Sequence, residues 1–443
     1  MSDSAVPTST AASMELDLLV WLRQRGGSCA SSLRVGQNLG ERGLFATEDV
    51  PADATLLSVP VDLHIRAPSR DSFRVDREDD RLALDLLNKI HMKRGELRPG
   101  HTRTWAKWIA SLPAKYTTPL HWSDATVALL GDTELVSTIQ RQRARLERRY
   151  DDLRSHISNH GYGPGPGVNS WGETLGDALL NFANYRWAYA TIRSRAAYLG
   201  EEGAAQAIVP VGDLFNHSTT APNVAATYAL PARAYVYTAL QPIAAGDELL
   251  VSYGAHDNAT LLKHYGFVPR GPNPHDRVAV ALAPAADDGR LATGAAARAW
   301  LAEQGFDSGH ALTHDGPSFE LLAALRLRHA TDDEYRNGAA FAIAEGEAVS
   351  DANEARVWRA VGDLARALAR PPSEAEDDRR RIDALRQKPS VEPGEAHELL
   401  AREFRAARAA LVEANVARAE REAREREGEG GAKRRRTEAS ANS

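Results

Sequence analysis

Three short polar motifs, each set inside an apolar run between residues 210 and 267, constrain this chain more than any other feature. They are Val211-Gly212-Asp213-Leu214-Phe215-Asn216-His217-Ser218, Leu249-Leu250-Val251-Ser252-Tyr253-Gly254 and His264-Tyr265-Gly266-Phe267. An amide and an imidazole next to Leu214-Phe215 need hydrogen-bond partners, which can be internal backbone groups or a ligand. The Asn-His pair leaves both choices open, but three such motifs in one span favour a functional site.

Composition limits the class of protein. A length of 443 residues fits two or three domains of ordinary size. Cys29 is the one cysteine, so the sequence predicts no internal disulfide, no metal site and a reducing compartment. We expect neither a membrane span nor a signal peptide, because no run of 18 apolar residues occurs and the N-terminus lacks a basic segment. The net charge of −6 gives no global field for attracting nucleic acid.

Hydrophobic periodicity predicts two β-rich parts that bracket a helical insertion. Alternating apolar residues with Gly and Pro turns predict strands from Leu33 to Val59 and again from Ala207 to Ser252. Between them, Leu135, Ile139, Leu146, Tyr150 and Leu153 recur at helical spacing. A last helix of the insertion is predicted from Thr174 to about Tyr198, with Leu175 and Leu179 on its apolar face. The basic run 141–149 is interpreted as a solvated helix face and not as a nucleic-acid patch.

Composition also changes toward the C-terminus, where Ala, Leu, Arg and Glu predict a helical domain with Leu400, Phe404, Ala407 and Leu411 on one face. The predicted segments are a disordered leader over 1–13, the β-rich parts 14–66 and 201–270, the insertion 67–200, the helical domain 271–427 and a disordered basic tail over 428–443.

Together with Gly43-Leu44-Phe45-Ala46-Thr47, the three motifs resemble the SET domain of protein lysine methyltransferases, in the branch typified by plant Rubisco large-subunit methyltransferase. The resemblance implies an α+β fold: a pseudoknotted, β-rich SET domain with a helical insertion, followed by an all-helical C-terminal substrate-binding domain. It further implies S-adenosyl-L-methionine as the cofactor and a lysine side-chain amine as the methyl acceptor. The implied partner is a protein substrate, whether a histone, a ribosomal protein or another intracellular protein.

The resemblance also assigns roles to particular residues. Tyr253 is the implied catalytic residue, whose hydroxyl orients the amine beside the methyl group. Asn216 and His217 are implied to hold the methionine and adenine ends of the cofactor, and Arg195 to meet its carboxylate. The other implied cofactor-binding residues are Glu41, Arg42, Asp213 and Phe267, and the implied substrate-binding residues are Ala197, Gly212 and Tyr265.

Lysine methylation requires a neutral amine, although an unperturbed lysine has a pKa near 10.4, which places the cost of deprotonation at pH 7 at about 4 kcal/mol. An apolar, aromatic channel and a nearby sulfonium both lower that pKa, so no separate carboxylate or histidine base is required. Tyr253, Tyr265 and Phe267 are suitable residue types for the walls of such a channel.

Several positions depart from the family pattern. The opening reads Gly40-Glu41-Arg42-Gly43, where relatives commonly have Glu-Gly followed by an aromatic residue or an aliphatic residue followed by Gly, and Ala197 stands where some relatives carry a bulkier residue. Gly212 stands where the actin-directed histidine methyltransferase of this branch has a tryptophan, and a small residue there favours a lysine enzyme.

Alternative interpretations remain: a histidine methyltransferase, a catalytically idle SET fold that serves as a scaffold, and nucleic-acid binding, which rests on Lys433-Arg434-Arg435-Arg436 alone. This basic cluster is also a candidate nuclear-import signal, so we expect a nuclear or cytoplasmic protein, and we expect a monomer. His256, His264 and His275 are interpreted as structural residues and not as metal ligands.

Overall fold

The computed structural model describes residues 11–38, 41–68, 75–93, 105–160, 180–198, 206–283 and 288–441, with no side chains described at 11–17, 91–93, 160 and 428–441. Gly40, Leu175 and Leu179 lie outside the described residues, as does the leader up to residue 10. The chain divides into two compact units, one with residues up to 128, 132–255 and 260–267, and the other with 129–131, 256–259 and 268 onward. The domain limits given by the sequence stay predictions.

The first unit contains many short strands. They are β1 (Ser28–Cys29), β2 (Leu33–Asn38), β3 (Glu41–Ala46), β4 (Thr55–Pro60), β5 (Ile65–Arg66), β6 (Ala196–Tyr198), β7 (Gln206–Ile208), β8 (Asn216–His217), β9 (Val224–Ala229), β10 (Ala234–Ala239) and β11 (Leu250–Val251). β1-β4-β10-β9 form one antiparallel sheet, β5-β7-β6 form another, and β2 and β3 form a hairpin. Apolar cross-strand pairs such as Tyr237–Leu57 and Tyr235–Val59 fix the register of β10 on β4.

The segment that leads into Tyr253 is threaded between two other parts of the sheet system. On one side, the Leu249 amide donates to the Leu44 carbonyl (2.8 Å). On the other side, Leu250 and Val251 of β11 pair in parallel with Asn216 and His217 of β8. This arrangement confirms the predicted pseudoknot, because residues far apart in sequence meet where the chain passes between β3 and β8.

The insertion is helical, as predicted. The helices of the first unit are α1 (Ala11–Gln24), α2 (Glu78–Lys93), α3 (Ala106–Ser111), α4 (Asp124–Leu129), α5 (Thr133–His160) and α6 (Phe182–Arg195). The short helix α7 (Asn258–Thr260) begins in the second unit and is followed by a π-helical turn at Leu261–Tyr265 of the first. The apolar face predicted for α5 is buried, from Leu135 to Leu153. These residues share one side of the helix because their spacing follows its period of 3.6 residues.

The solvated interpretation of the basic run on α5 is wrong at Arg143, which donates to the Pro119 and Trp122 carbonyls, and at its last residue, Arg149. Arg149 Nη2 donates to Asp80 Oδ1 (2.5 Å), and the Tyr185 hydroxyl donates to the same oxygen (2.6 Å). Arg149 therefore ties α5 to α2 and α6 through a buried carboxylate, a pairing that periodicity within α5 could not indicate.

Helix α6 is shorter than predicted at its C-terminal end. Asn181 caps its start by accepting from the Asn184 amide (2.9 Å), and Arg195 is its last residue. Ala196–Tyr198, predicted as helix, form β6, because they pair with β7 across a gap in sequence that local propensity does not register. Arg195 therefore stands at a helix-to-strand junction.

The second unit is helical, with α8 (Ala295–Glu303), α9 (Phe319–Arg328), α10 (Asp332–Arg336), α11 (Ala339–Ala344), α12 (Asp351–Leu368), α13 (Pro372–Arg386) and α14 (Pro393–Ala441). It also contains a small sheet of β12 (Arg277–Ala279), β13 (Ala311–Thr313) and β14 (Gly316–Pro317), which the sequence did not indicate. Val357 and Val361 of α12 share a buried cluster with Leu411 of α14.

Residues 428–441, predicted as a disordered tail, continue α14 as helix. Their Ala, Glu, Lys and Arg residues favour helix, which offsets the cost of the glycines. Among the helices of the described residues, none is long and apolar enough to cross a membrane.

Candidate functional site

A strained turn begins the site. Val211 is buried and has φ 72°, in the left-handed region that β-branched residues rarely adopt. The 3₁₀ turn Gly212–Leu214 follows, with the Asp213 amide donating to the Val209 carbonyl (2.9 Å). Such backbone strain costs about 1–3 kcal/mol and persists only where the surroundings impose it. Here it aims Asp213 back toward the end of α6.

Arg195 and Asp213 form an ion pair at this junction. Arg195 Nη1 donates to both the Asp213 carbonyl and Asp213 Oδ2, each at 3.0 Å, and Trp108 Nε1 donates to Asp213 Oδ1 (3.1 Å). Burial lowers the pKa of Arg195, but Tyr116 and Asp213 more than offset this effect, so that the net shift is upward. The guanidinium is therefore a permanent cation, and among the described residues no hydrogen bond uses its Nη2.

Asn216 is held by two acceptors. Its Nδ2 donates to Glu248 Oε1 (2.7 Å) and to the Arg42 carbonyl (3.2 Å). Both amide hydrogens are thereby used, and the side chain keeps Oδ1 as an acceptor. Gly43 makes this packing possible, because a Cβ there would lie 2.5 Å from Glu248 Oε1 and 2.8 Å from Asn216 Nδ2.

His217 and Tyr253 contact each other directly. The Tyr253 amide donates to His217 Nδ1 (3.0 Å), which fixes the imidazole as an acceptor at that nitrogen, and the two rings stack at 5.0 Å. The Tyr253 hydroxyl donates to the Phe215 carbonyl (2.7 Å). Burial raises the pKa of Tyr253, an effect that Arg195 partly opposes. Tyr253 is therefore a neutral phenol whose oxygen keeps lone pairs for a further contact.

Aromatic rings continue from Tyr253 in an aromatic cluster of Tyr253, Tyr265, Phe267 and His217. Tyr253 stacks on Tyr265 with centroids 5.0 Å apart, and Phe267 lies 6.4 Å from Tyr265 and 6.1 Å from His217. Burial raises the pKa of Tyr265 and Arg193 opposes the shift. The cluster offers an apolar wall with neutral hydroxyls, suited to the stem of a long side chain.

The other predicted residues lie nearby or stay untested. Glu41 and Arg42 open β3, and Glu41 adds to the upward pKa shift of Tyr253. The Arg42 side chain donates to the Ser111 carbonyl (2.6 Å), so this residue serves Asn216 through its own carbonyl. Ala197 lies on β6 opposite Ala207. No group of three His, Cys, Asp or Glu side chains that could hold a metal occurs among the described residues.

Four residues of the site were missed by sequence reasoning. Glu248 holds Asn216, Trp108 holds Asp213, Tyr116 lies 3.4 Å from Arg195 Nε, and Tyr237 stacks on Phe215. Glu248 was detectable in principle, because it directly precedes the Leu249-to-Gly254 motif. The other three act across the fold and leave no local signal.

Comparison with known proteins supports this arrangement. The SET-domain family matches residues 41–254, a span that includes Arg195, Asp213, Asn216, His217 and Tyr253. The chain therefore contains a SET domain. The Rubisco LSMT substrate-binding family matches residues 295–413 of the second unit of this SET protein.

Curated relatives of the SET protein include actin-histidine N-methyltransferases of Rattus norvegicus and Homo sapiens, each 27% identical over 370 residues. The match covers 80% of this chain and 60% of each relative, so the chain spans less than two thirds of their length. Solved structures with the same fold include the LSMT SET domain bound to lysine and AdoHcy (TM-score 0.60, 18% identity, covering 94% of this chain and 93% of that chain). Rubisco LSMT bound to sinefungin and monomethyllysine gives a TM-score of 0.61 at 17% identity, covering 93% of each chain.

Proposed function

We propose that this protein is an S-adenosylmethionine-dependent protein N-methyltransferase whose acceptor is a lysine side chain. The observation that carries the proposal is the position of the Tyr253 hydroxyl. It is fixed by the Phe215 carbonyl (2.7 Å), within the electrostatic reach of Arg195 and at the end of an aromatic cluster. A neutral hydroxyl fixed beside an apolar wall can orient a neutral amine for methyl transfer.

The residues present fit S-adenosylmethionine by the chemistry of their unused groups. The cofactor carries an ammonium and a carboxylate at its methionine end. Asn216 Oδ1 is an acceptor for the ammonium, because both hydrogens on Nδ2 are taken internally. Arg195 has a donor nitrogen beyond those that hold Asp213, which suits the carboxylate. Asn216 would thus act as an acceptor alone, a narrower role than a side chain that both donates and accepts.

The groups of this chain would perform three tasks during transfer. When bound, S-adenosylmethionine supplies a methyl group to the neutral amine: the N–C bond forms as the S–C bond breaks, the electron pair stays on sulfur, and the product ammonium releases a proton to solvent. Burial in the aromatic cluster favours the neutral form of the acceptor lysine. The Tyr253 hydroxyl, donating to Phe215, accepts weak contacts from polarised hydrogens. Tyr265 and Phe267 confine the aliphatic stem.

Lysine is preferred over histidine on the evidence of Gly212. A Cβ on this residue would lie 2.1 Å from the Tyr237 hydroxyl and 2.6 Å from Tyr237 Cζ. The tryptophan that the resemblance gives the actin-directed enzyme at this place has no room here. This site therefore lacks the tryptophan side chain that the imidazole-binding site of the actin-directed enzyme has at this position.

A histidine acceptor is the second candidate, and the similarity to actin-histidine N-methyltransferases favours it. The two candidates are separated by incubating the full chain with S-adenosylmethionine carrying a deuterated methyl group and a fractionated cell extract, and then mapping labelled residues by mass spectrometry. Labelled lysines support the proposal, labelled histidines support the second candidate, and no label on any protein contradicts both and favours the scaffold.

Three further properties belong to the proposal. We expect a protein partner, a monomeric enzyme and a nuclear or cytoplasmic location, with Lys433–Arg436 as the nuclear-import signal. Deleting 429–443 should move a fluorescent fusion toward the cytoplasm and leave methyl transfer unchanged. An unchanged distribution would show that the basic cluster is not a nuclear-import signal.

A further inference from the structure

The segment 113–122 of the insertion passes beside the site, although it belongs to none of the three sequence motifs. Two helices of the same unit hold its ends. Trp187 of α6 donates from Nε1 to the Pro113 carbonyl (2.9 Å), and Arg143 of α5 donates from Nη2 to the Trp122 carbonyl (2.6 Å). The segment is therefore tied at both ends, and the residues in its middle have a fixed position relative to α6.

Tyr116, in the middle of this segment, contacts the guanidinium of Arg195. Arg195 Nε donates to the Tyr116 hydroxyl (3.4 Å), and the Tyr116 ring packs on Trp187 with centroids 6.2 Å apart. Burial raises the pKa of Tyr116, although Arg195 opposes the shift. The hydroxyl is therefore a neutral acceptor for Nε, while Asp213 accepts from Nη1 of the same guanidinium.

Thr117, the next residue, contacts the turn 265–267, which carries the Tyr265 and Phe267 rings. The Thr117 hydroxyl donates to the Gly266 carbonyl (2.7 Å) at the centre of that turn. Thr117 is an exposed residue, so its hydroxyl has little part in the core. Its hydrogen bond therefore fixes the backbone between two aromatic side chains of the site at a small contribution to stability.

Gly266 allows the turn to approach this segment closely. Its φ is 81°, in the left-handed region that glycine adopts without strain. A Cβ at this position would also lie 2.5 Å from Thr117 Oγ1 and 2.9 Å from the Thr118 amide nitrogen. The second of these atoms belongs to the backbone and cannot rotate away, so the turn and the segment are packed directly against each other.

We propose that the segment 113–122 is a positioning element for both ends of the site. Tyr116 orients the Arg195 guanidinium toward the carboxylate of S-adenosylmethionine, and Thr117 orients the turn 265–267 beside the acceptor. The inference rests on the proposed function, which supplies the roles of Arg195 and of the two aromatic side chains. Because the two positioning residues are neighbours in sequence, the cofactor end and the acceptor end share one support, and each residue governs a different measurable step.

The first experiment tests the cofactor end by calorimetric titration with S-adenosylmethionine. Tyr116→Phe keeps the ring and removes the acceptor of Arg195 Nε, so the Kd should rise about 5-fold. Tyr150→Phe is the matched control, because Tyr150 is equally buried, at 7% exposure, and also loses one hydrogen bond, to the Leu180 carbonyl (3.0 Å). Its Kd should stay within about 2-fold of the wild-type value. A wild-type Kd in folded Tyr116→Phe protein would overturn the role of Tyr116.

The second experiment tests the acceptor end with the labelled extract assay at saturating S-adenosylmethionine. Thr117→Val keeps the shape and removes the hydroxyl, so the initial rate of labelling should fall about 5-fold or more, with the Kd for S-adenosylmethionine and the melting temperature nearly unchanged. Thr117→Ser keeps the hydroxyl and should restore the rate.

Thr126→Val is the control for this experiment, because the Thr126 hydroxyl bonds to the Ser123 hydroxyl (2.8 Å) in the same insertion and should leave the rate unchanged. Labelling by Thr117→Val at the wild-type rate, or a loss that Thr117→Ser does not recover, would overturn the role of Thr117.

These outcomes are distinct from a failure of the proposed function. A wild-type protein that neither binds S-adenosylmethionine nor labels any protein would contradict the proposed function, and with it this use of the segment 113–122. A wild-type protein that binds and labels, together with Tyr116→Phe and Thr117→Val variants that do both equally well, would overturn the positioning role alone.

Discussion

Two buried ion pairs, one in each compact unit, use the same residue types in different ways. In the second unit, Arg326 forms a closed fork with Glu354, with Nε on Oε1 (2.6 Å) and Nη2 on Oε2 (3.2 Å), while Nη1 lies 3.5 Å from the Gly346 carbonyl. In the first unit, Arg195 holds Asp213 through Nη1 alone. The difference shows that a buried arginine whose nitrogens are all engaged supports the fold, whereas one with a nitrogen left over can also bind a ligand.

The largest effect is expected from breaking the Arg326–Glu354 pair. Arg326→Met leaves Glu354, whose side chain is 3% exposed, buried without its counter-charge. Losing one partner of such a pair costs about 3–5 kcal/mol of unfolding free energy, measurable by urea denaturation. Arg336→Met is the control, because Arg336 pairs with Asp332 on the surface at 60% exposure and should cost under about 1 kcal/mol. Equal losses in the two variants would remove the distinction between buried and exposed pairs.

A change in the Arg195–Asp213 pair should alter the affinity for S-adenosylmethionine more than the stability. Arg195→Lys keeps the positive charge for Asp213 but removes the forked nitrogens, so the Kd for S-adenosylmethionine should rise by a factor equivalent to about 2 kcal/mol, or roughly 30-fold. Stability should fall by less than the loss of about 3–5 kcal/mol expected on breaking a buried pair, because the lysine ammonium keeps a positive charge beside Asp213. Calorimetric titration measures the affinity, with Arg186→Lys on the same helix as the control. An unchanged Kd would place Arg195 with Arg326 as a residue of the fold alone.

His64 is a third buried basic residue, and unlike Arg195 and Arg326 it is uncharged in the folded protein at neutral pH. Burial lowers the pKa of His64 to about 4, although the Val59 carbonyl opposes the shift. Between pH 6.5 and pH 4 the His64 imidazole is protonated in the unfolded chain but neutral in the folded one. The free energy of unfolding is therefore highest above about pH 6.5 and falls as the pH drops toward 4. At pH 5 the loss is about 2 kcal/mol.

His64→Gln, which keeps a donor for Val59, should flatten the dependence of the unfolding free energy between pH 7 and pH 5. His314→Gln, at an exposed position, should leave the slope as in the wild type. If the His64 variant loses as much stability as the wild type over this range, His64 is not the group that titrates.

Local patterns were sufficient for much of the fold. The alternating residues of β4 and β10 and the apolar face of α5 are read directly from spacing, because each depends on the period of its own element. The end of α6 could not be predicted from spacing, since Ala196–Tyr198 become a strand only by pairing with β7. The second-unit sheet escaped notice for the same reason.

The residues of the site also fall into two groups, those indicated by local patterns and those that depend on distant partners. Asn216, His217 and Tyr253 were indicated by polar residues inside apolar runs, and the pairing of β8 with β11 brings them together. Glu248 on Asn216 and Tyr237 against Gly212 were not indicated, because a glycine kept small by a distant side chain looks in sequence like any turn glycine. The partners of site residues are a property of register, which one sequence does not contain.

The central claim is that the Tyr253 hydroxyl acts in methyl transfer and is not merely part of the core. Tyr253→Phe keeps the ring and its stacks on His217 and Tyr265 and removes only the oxygen that bonds the Phe215 carbonyl. We predict a fall in kcat of about 100-fold, equivalent to about 2.7 kcal/mol, with the Kd for S-adenosylmethionine and the melting temperature nearly unchanged. Transfer by Tyr253→Phe at the wild-type rate, with the wild-type number of methyl groups per acceptor, would contradict the claim.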